Sequence, residues 1–167
     1  HISGSLDVQF RPIASGRRVW SNTDVRGFVR SAIPALVDAG VDVLNINPNG
    51  NPSRCRICPG PQPAVANRNT TIFRWRDPPS NQSITVMFHN GYHSDTGPGT
   101  AFVAGKIALM RHFRPDNAGP PDSLAEVRLA LESARQTFPG AEVVVSSQSA
   151  FASEALNDEF VRTLPQF

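Results

Sequence analysis

Apolar residues in this chain recur in short blocks that switch between the two-residue period of a strand and the longer period of a helix. Arg17-Arg18-Val19-Trp20 is a short strand candidate leading into the loop Asn22-Thr23-Asp24-Val25-Arg26-Gly27-Phe28. Ile33, Leu36 and Val37 then follow helical spacing up to Gly40, which ends the helix. Ser31 is the candidate cap, and Pro34 falls in the first turn, where a missing N–H costs nothing. Residues 41–46 alternate and run into Asn45, Asn47 and Asn49, which predicts a buried strand with a polar end. Ile72, Phe73 and Trp75 in residues 70–76, and Ile84, Val86 and Phe88 in residues 83–89, flank the turn Asp77-Pro78-Pro79-Ser80-Asn81. That pattern predicts a hairpin.

Residues 91–100 read as a glycine-rich loop, and the apolar residues 102–113 fit either helix or strand. Ser123-Leu124-Ala125-Glu126 is a capping box, opening a helix with Leu124, Val127, Leu131, Ala134 and Phe138 on one face. Pro139-Gly140 ends it. Residues 141–146, with Val143, Val144 and Val145, predict a buried strand, and Ser147 or Ser149 caps a last helix carrying Phe151, Leu156, Phe160 and Leu164. Helices alternating with strands predict an α/β fold: a mostly parallel sheet with flanking helices plus one β-hairpin. No repeat and no long linker divides the chain, so residues 1–167 are read as a single domain.

Composition narrows the function classes. Hydrophobic residues make up 40% and charged residues 18%, enough apolar material for a packed core. Net charge is +2, and Lys106 is the only lysine among 16 basic residues. The arginines are scattered (Arg17, Arg18, Arg54, Arg56, Arg74, Arg76, Arg111, Arg114) rather than clustered, so nucleic acid is not an expected partner. No run of 18 apolar residues exists, which argues against a membrane-spanning helix. Prolines concentrate in residues 48–63 and 115–121, marking loops. The start, His1-Ile2-Ser3-Gly4-Ser5, lacks the basic and apolar regions of a signal peptide, so a processed or truncated start is expected.

The two cysteines stand in Cys55-Arg56-Ile57-Cys58, flanked by Pro52 and Pro59. Three readings stay open: a local disulfide, free thiols, or a zinc site completed by His89 and His93. Asn69-Thr70-Thr71 and Asn81-Gln82-Ser83 are glycosylation sequons beside predicted turns. With the cysteine pair they favour an extracellular or secretory-lumen location.

Asp24 is the central candidate for chemistry, because carboxylates that react in barrel-like α/β enzymes sit on loops at the rim of the sheet. The bland alternative is an Asx-turn or cap before the helix. Asp42, Asp77 and Asp95 are conceivable second carboxylates. Asn47, Asn49 and Tyr92 are candidate sugar contacts. Trp75 and Trp20 offer stacking faces, although core filling explains them too. His89 and His93 are candidate ligands, His93 within the glycine-rich loop.

From Asp24 onward the chain resembles glycoside hydrolase family 38, the α-mannosidases. That family's motif is Asp-Pro-Phe-Gly-His, then a helix and a glycine before the next strand. Asp24, Gly27 and Gly40 match it. A divergent branch with the same barrel fits better: its aspartate begins an Asp-Val-Pro-Gly run, and its next strand ends near Asn-Gly, as Asn49-Gly50 does here. Phe73-Arg74-Trp75-Arg76-Asp77-Pro78 is similar to the branch's Phe-x-Trp-x-Asp-Pro hairpin, and Met87-Phe88-His89-Asn90-Gly91-Tyr92 to its strand ending in His-x-Gly-Tyr. Asp116-Asn117-Ala118-Gly119-Pro120-Pro121 and Phe138-Pro139-Gly140-Ala141-Glu142-Val143 also resemble it. Arg26 stands where the branch has proline, and Phe28 where the family has histidine.

The resemblance implies the later half of a (β/α)7-type barrel and a retaining, zinc-dependent hydrolase acting on a carbohydrate. Asp24 would be nucleophile and metal ligand. The family's His-x-Asp zinc pair lies on an earlier strand; His93-Ser94-Asp95 has that spacing but stands downstream. The alternative is a non-catalytic structural or glycan-binding subunit of an extracellular or lumenal assembly. For a half-barrel, a partner chain or oligomer covering the exposed sheet edges is expected.

Overall fold

The computed structural model describes residues 16–25, 28–48, 70–89, 101–110 and 121–167. Four strands build one mixed sheet: β1 (Val19–Thr23), β2 (Val43–Asn47), β3 (Thr70–Arg76) and β4 (Ser83–His89), in spatial order β1-β2-β4-β3. β2 runs parallel to both β1 and β4, and β3 returns antiparallel along β4. The fold is therefore α/β, and the expected hairpin is part of the main sheet.

Helix α1 (Ile33–Asp38) joins β1 to β2 and is entered through a 3-10 turn at Arg30–Ala32. Ser31 does not cap it. Ala32 holds the cap position, and its N–H already donates to Val29 O at 3.1 Å, so the tight turn satisfies donors that a side-chain cap would have served. Pro34 lies in the first turn, as expected. At the other end Gly40 has φ +75; its N–H donates to Val37 O, and the Val41 N–H donates to Leu36 O. This paired closure stops the helix and turns the chain into β2.

The sheet separates two apolar layers. Leu44, Ile46, Phe73, Trp75, Ile84, Val86 and Phe88 face α1, where Ile33 and Leu36 meet them. Val43 and Met87 face the other way, against Phe102, Ala104 and the helical residues Phe151, Ala152 and Ala155. β2 is buried along its whole length, as expected for a strand covered on both faces.

Residues 102–113 resolve, as far as 110, into a tight hairpin of β5 (Phe102–Ala104) and β6 (Ile107–Leu109), turned at Gly105 with φ +61. Helix α2 (Leu124–Thr137) begins where the capping box predicts: Ser123 Oγ accepts from the Glu126 N–H. The reciprocal arm differs, because Glu126 Oε2 accepts from Asp122 N–H at 3.1 Å. The last helix is two helices, α3 (Gln148–Ala155) capped by Ser147 and α4 (Asp158–Thr163) capped by Asn157. Asn157 Oδ1 accepts from Phe160 N–H at 2.9 Å and restarts the helix.

Two further expectations are corrected. Residues 141–146 form no strand: Val144 and Val145 are exposed, because no strand among the described residues pairs with them. The first strand runs from Val19 to Thr23 rather than stopping at Trp20, because Ser21 and Thr23 find polar partners on β2. No barrel closure occurs among the described residues: β1 is one edge of an open sheet, and β3, the other, receives Gln166 as an isolated parallel bridge at Arg74. No helix of the described residues is long and apolar enough to cross a membrane.

Gly40→Ala should destabilise the fold by about 1–2 kcal/mol, since an L-residue resists positive φ and the new Cβ would stand 3.1 Å from Arg18 Nη1. A urea unfolding midpoint lowered at constant slope is the expected result; an unmoved midpoint would show that this turn is not what joins α1 to β2.

Candidate functional site at the carboxyl ends of the parallel strands

β1, β2 and β4 run in the same direction, so their carboxyl ends share one rim of the sheet. In open parallel sheets this rim is where ligands bind, because the connecting loops leave there and can be shaped freely. Three expected site residues meet at it. Asp24 follows β1, Asn47 ends β2 and His89 ends β4. Asn47 is level with Thr23, and His89 is one residue beyond the Ile46–Phe88 pair, which sets it level with Asn47.

Asp24 is exposed and has φ +66, a left-handed conformation that aspartate tolerates better than most residues. Its N–H donates to Asn47 O at 2.9 Å. The strand pairing thus extends one residue past β1 and anchors the carboxylate-bearing residue at the rim. An isolated left-handed residue also serves ordinary turns, as Asn81 with φ +61 does here. Location separates the two: Asn81 sits in the β3–β4 turn, at the opposite end of the sheet.

A polar ladder backs Asp24. Asn47 Nδ2 donates to Thr23 Oγ1 at 3.0 Å, and Asn45 Nδ2 donates to Ser21 Oγ at 2.9 Å. The two hydroxyl oxygens lie 3.2 Å apart. Both asparagines are fully buried, whereas Ser21 and Thr23 are exposed. His89 is 2% exposed, and its ring centroid stands 6.5 Å from that of Phe102. Ser21, Thr23 and Asn45 were not singled out from sequence. The signal was present: polar residues at alternate positions on two neighbouring strands share one face.

Other expected positions fall elsewhere. Trp75 is 4% exposed and packs edge-on against Phe28 with ring centroids 6.5 Å apart, in the layer under α1. It pairs with Ile84 near the start of β4, away from the rim. Core filling, not sugar stacking, is its role, because no face of its ring is open. Trp20 packs against the same layer. Asp42 precedes β2 and accepts from Arg18 N–H at 2.8 Å. At roughly 3.3 Å per residue, this sets it about 16 Å from the rim. Asp77 is buried in the β3–β4 turn, where Oδ2 accepts from Ser80 N–H and Oγ–H, an Asx-type turn. Neither is placed to act with Asp24. Asn81 is exposed, and its Oδ1 accepts from Arg76. Asn49, Cys55, Cys58, Asn69, Tyr92, His93 and Asp95 lie outside the described residues.

Among the described residues no group of three or more His, Cys, Asp or Glu side chains is arranged to hold a metal ion. Of the expected zinc donors, Asp24 and His89 share the rim and His93 lies outside the described residues. No family model, curated protein or solved structure matches this chain.

Asn47→Ala deletes the carboxamide that holds Thr23 and opens a cavity in the central strand. The expected loss is about 2–3 kcal/mol, combining a lost buried hydrogen bond with lost packing. Denaturant unfolding measures it, and a loss under about 0.5 kcal/mol would mean that the ladder does not stabilise the rim.

Proposed function

We propose that this chain is a carbohydrate-active protein of the α-mannosidase-like type, with its site on the rim formed by β1, β2 and β4. The observation that carries this reading is Asp24: exposed, left-handed, and tied by its N–H to Asn47 at the carboxyl end of the adjacent parallel strand. The ordered resemblance to glycoside hydrolase family 38 converges on that residue. In this reading the sheet is part of a (β/α)7-type barrel. Asp24 would attack the anomeric carbon and form the covalent glycosyl intermediate of a retaining hydrolase. Asn49, Tyr92 and His93, which follow the same strand ends in sequence, would bind the sugar, with the buried Asn47 and His89 supporting the rim behind them. Asp24, His89 and His93 supply oxygen and nitrogen donors suited to zinc, which when bound would polarise sugar hydroxyls. Glycans on Asn69 and Asn81, a Cys55–Cys58 disulfide and an extracellular or lumenal setting belong to the same proposal.

A second reading, glycan binding without hydrolysis, is favoured by one specific observation. A retaining mechanism needs two carboxyls roughly 5 Å apart, yet Asp42 and Asp77 both lie away from the rim. A partner chain covering the open edge of β1 fits this reading.

An aryl α-mannoside assay with added zinc separates the two. A hydrolase should turn over, and Asp24→Asn should reduce the rate to the uncatalysed level while leaving the unfolding midpoint within about 0.5 kcal/mol of wild type, as for a surface substitution. Turnover equal in wild type and Asp24→Asn would eliminate the hydrolytic reading. Binding of a mannoside without turnover would establish the second.

A further inference from the structure

The two edges of the sheet are not alike. Along β3, Arg74 N–H donates to Pro165 O and Phe167 N–H donates to Arg74 O, so residues 165–167 cover that edge. Along β1 no strand among the described residues pairs on the outer side. Backbone groups alternate in direction along a strand. Arg18 O accepts from Val43 N–H and Asp24 N–H donates to Asn47 O, so these residues turn their backbone groups toward β2. Val19, Ser21 and Thr23 therefore turn theirs outward, each presenting one N–H and one C=O. Sheet edges are commonly guarded by proline, lysine or a bulge. β1 contains neither proline nor lysine, and its register with β2 advances residue by residue without a bulge.

The ends of β1 carry opposite charges. Arg18 precedes the strand and Asp24 follows it, about 20 Å apart at roughly 3.3 Å per residue. They do not meet within one copy, but an antiparallel second copy reverses their order. Centring that pairing on Ser21 sets Ser21 opposite Ser21, Val19 opposite Thr23, and Arg18 opposite Asp24 on both sides of a two-fold axis. Any other register leaves an outward-facing residue of β1 without a counterpart in the second β1. The matching stretch is bounded at both ends. Arg17 N–H already donates to Ser153 Oγ at 2.8 Å, and its guanidinium donates to Asp158. At the other end the left-handed turn at Asp24 takes the chain out of the strand. Arg18 is half-buried and gives one N–H to Ala39 O at 3.2 Å, which leaves further guanidinium donors, and Asp24 is exposed.

We propose that β1 is a self-association edge: two copies of this chain pair their β1 strands antiparallel about a two-fold axis at Ser21, joining two four-stranded sheets into one. Val19, Ser21 and Thr23 each donate one hydrogen bond and accept one, and Arg18 of each copy reaches Asp24 of the other. Exposed ion pairs add little affinity, so these set register and orientation while the backbone ladder holds the copies together. A contact along a five-residue strand is small, and the dimer should dissociate at a constant on the order of 10 µM. The second copy also completes the rim, because it sets a guanidinium beside the Asp24 carboxylate. The inference stands on the sheet edge and is independent of the carbohydrate reading.

Sedimentation velocity without sugar, from about 1 to about 200 µM so as to span that constant, tests it on wild type, Arg18→Glu, Asp24→Arg and the double variant, each checked for folding by thermal melting. Wild type should pass from monomer to dimer across the range. Either single reversal sets like charges opposite each other on both sides of the axis and should weaken dimerisation about tenfold. The double variant restores opposite charges and should return to within about threefold of wild type. Amide exchange at Val19, Ser21 and Thr23 should slow as the dimer forms. A wild-type monomer at every concentration overturns the proposal, and so does a dimer that neither reversal weakens. Exchange-protected β1 amides in a monomer also overturn it, and would assign the edge to another segment of the same chain. Should Arg18→Glu fail to fold, Asp24→Arg decides alone: a dimer as tight as wild type overturns the pairing. None of these outcomes bears on the rim proposal, which is read by mannoside turnover and binding.

Discussion

The register of the sheet depends on pairing the carboxamide donors of two asparagines inside a strand that has no solvent on either face. β2 is buried throughout, and a carboxamide in such a strand must find partners or destabilise it by roughly 1–3 kcal/mol. Ser21 and Thr23 supply those partners only in the observed register, Ser21 level with Asn45 and Thr23 level with Asn47. A slip of one residue would turn both hydroxyls to the other face and leave the carboxamides among Val43, Met87 and Phe102. Polar complementarity therefore pins a pairing that apolar contact alone would leave loose. The same register delivers Asp24 to its bond with Asn47 O, so the geometry of the rim is inherited from the interior of the sheet.

How much of this was legible beforehand depended on whether the information was local. β3 and β4 were readable to the residue, because alternation and the Asp77–Asn81 turn lie close together in sequence. The stop at Gly40 and the start at Ser123 were readable because capping chemistry spans only a few residues. The end of β1 was not: nothing local in Ser21-Asn22-Thr23 says strand, and its reason stands on β2, 24 positions away in each hydrogen bond. Residues 141–146 show the reverse failure. Three consecutive valines have high strand propensity, but propensity without a neighbouring edge makes no strand. For the site, Asp24, Asn47 and His89 were identifiable as polar residues at strand ends. Trp75 has aromatic chemistry that suits a sugar face or a core, and its burial decides for the core filling that residue type already favoured.

The rim combines one exposed carboxylate, a buried imidazole, two buried carboxamides and two exposed hydroxyls. Among the described residues that inventory is polar and rich in groups that both give and accept hydrogen bonds, which suits the proposed recognition of a neutral polyhydroxyl compound. The division of labour is also physical. Buried asparagines cannot wander, and so they fix the exposed side chains that meet solvent, the arrangement by which a rigid support gives a surface group a defined direction.

The pairing of residues 165–167 with β3 has a consequence for how the chain folds. Arg74 N–H donates to Pro165 O, Phe167 N–H donates to Arg74 O, and the Phe73 and Phe167 rings meet at 5.8 Å. Those partners come about 90 residues later in sequence, a long-range closure of the kind that slows folding. A nascent chain that has already formed the β3–β4 hairpin thus holds an unprotected flank until residues 165–167 leave the ribosome. Translation speed over that interval, and any chaperone that shields the flank meanwhile, would set the yield of soluble product.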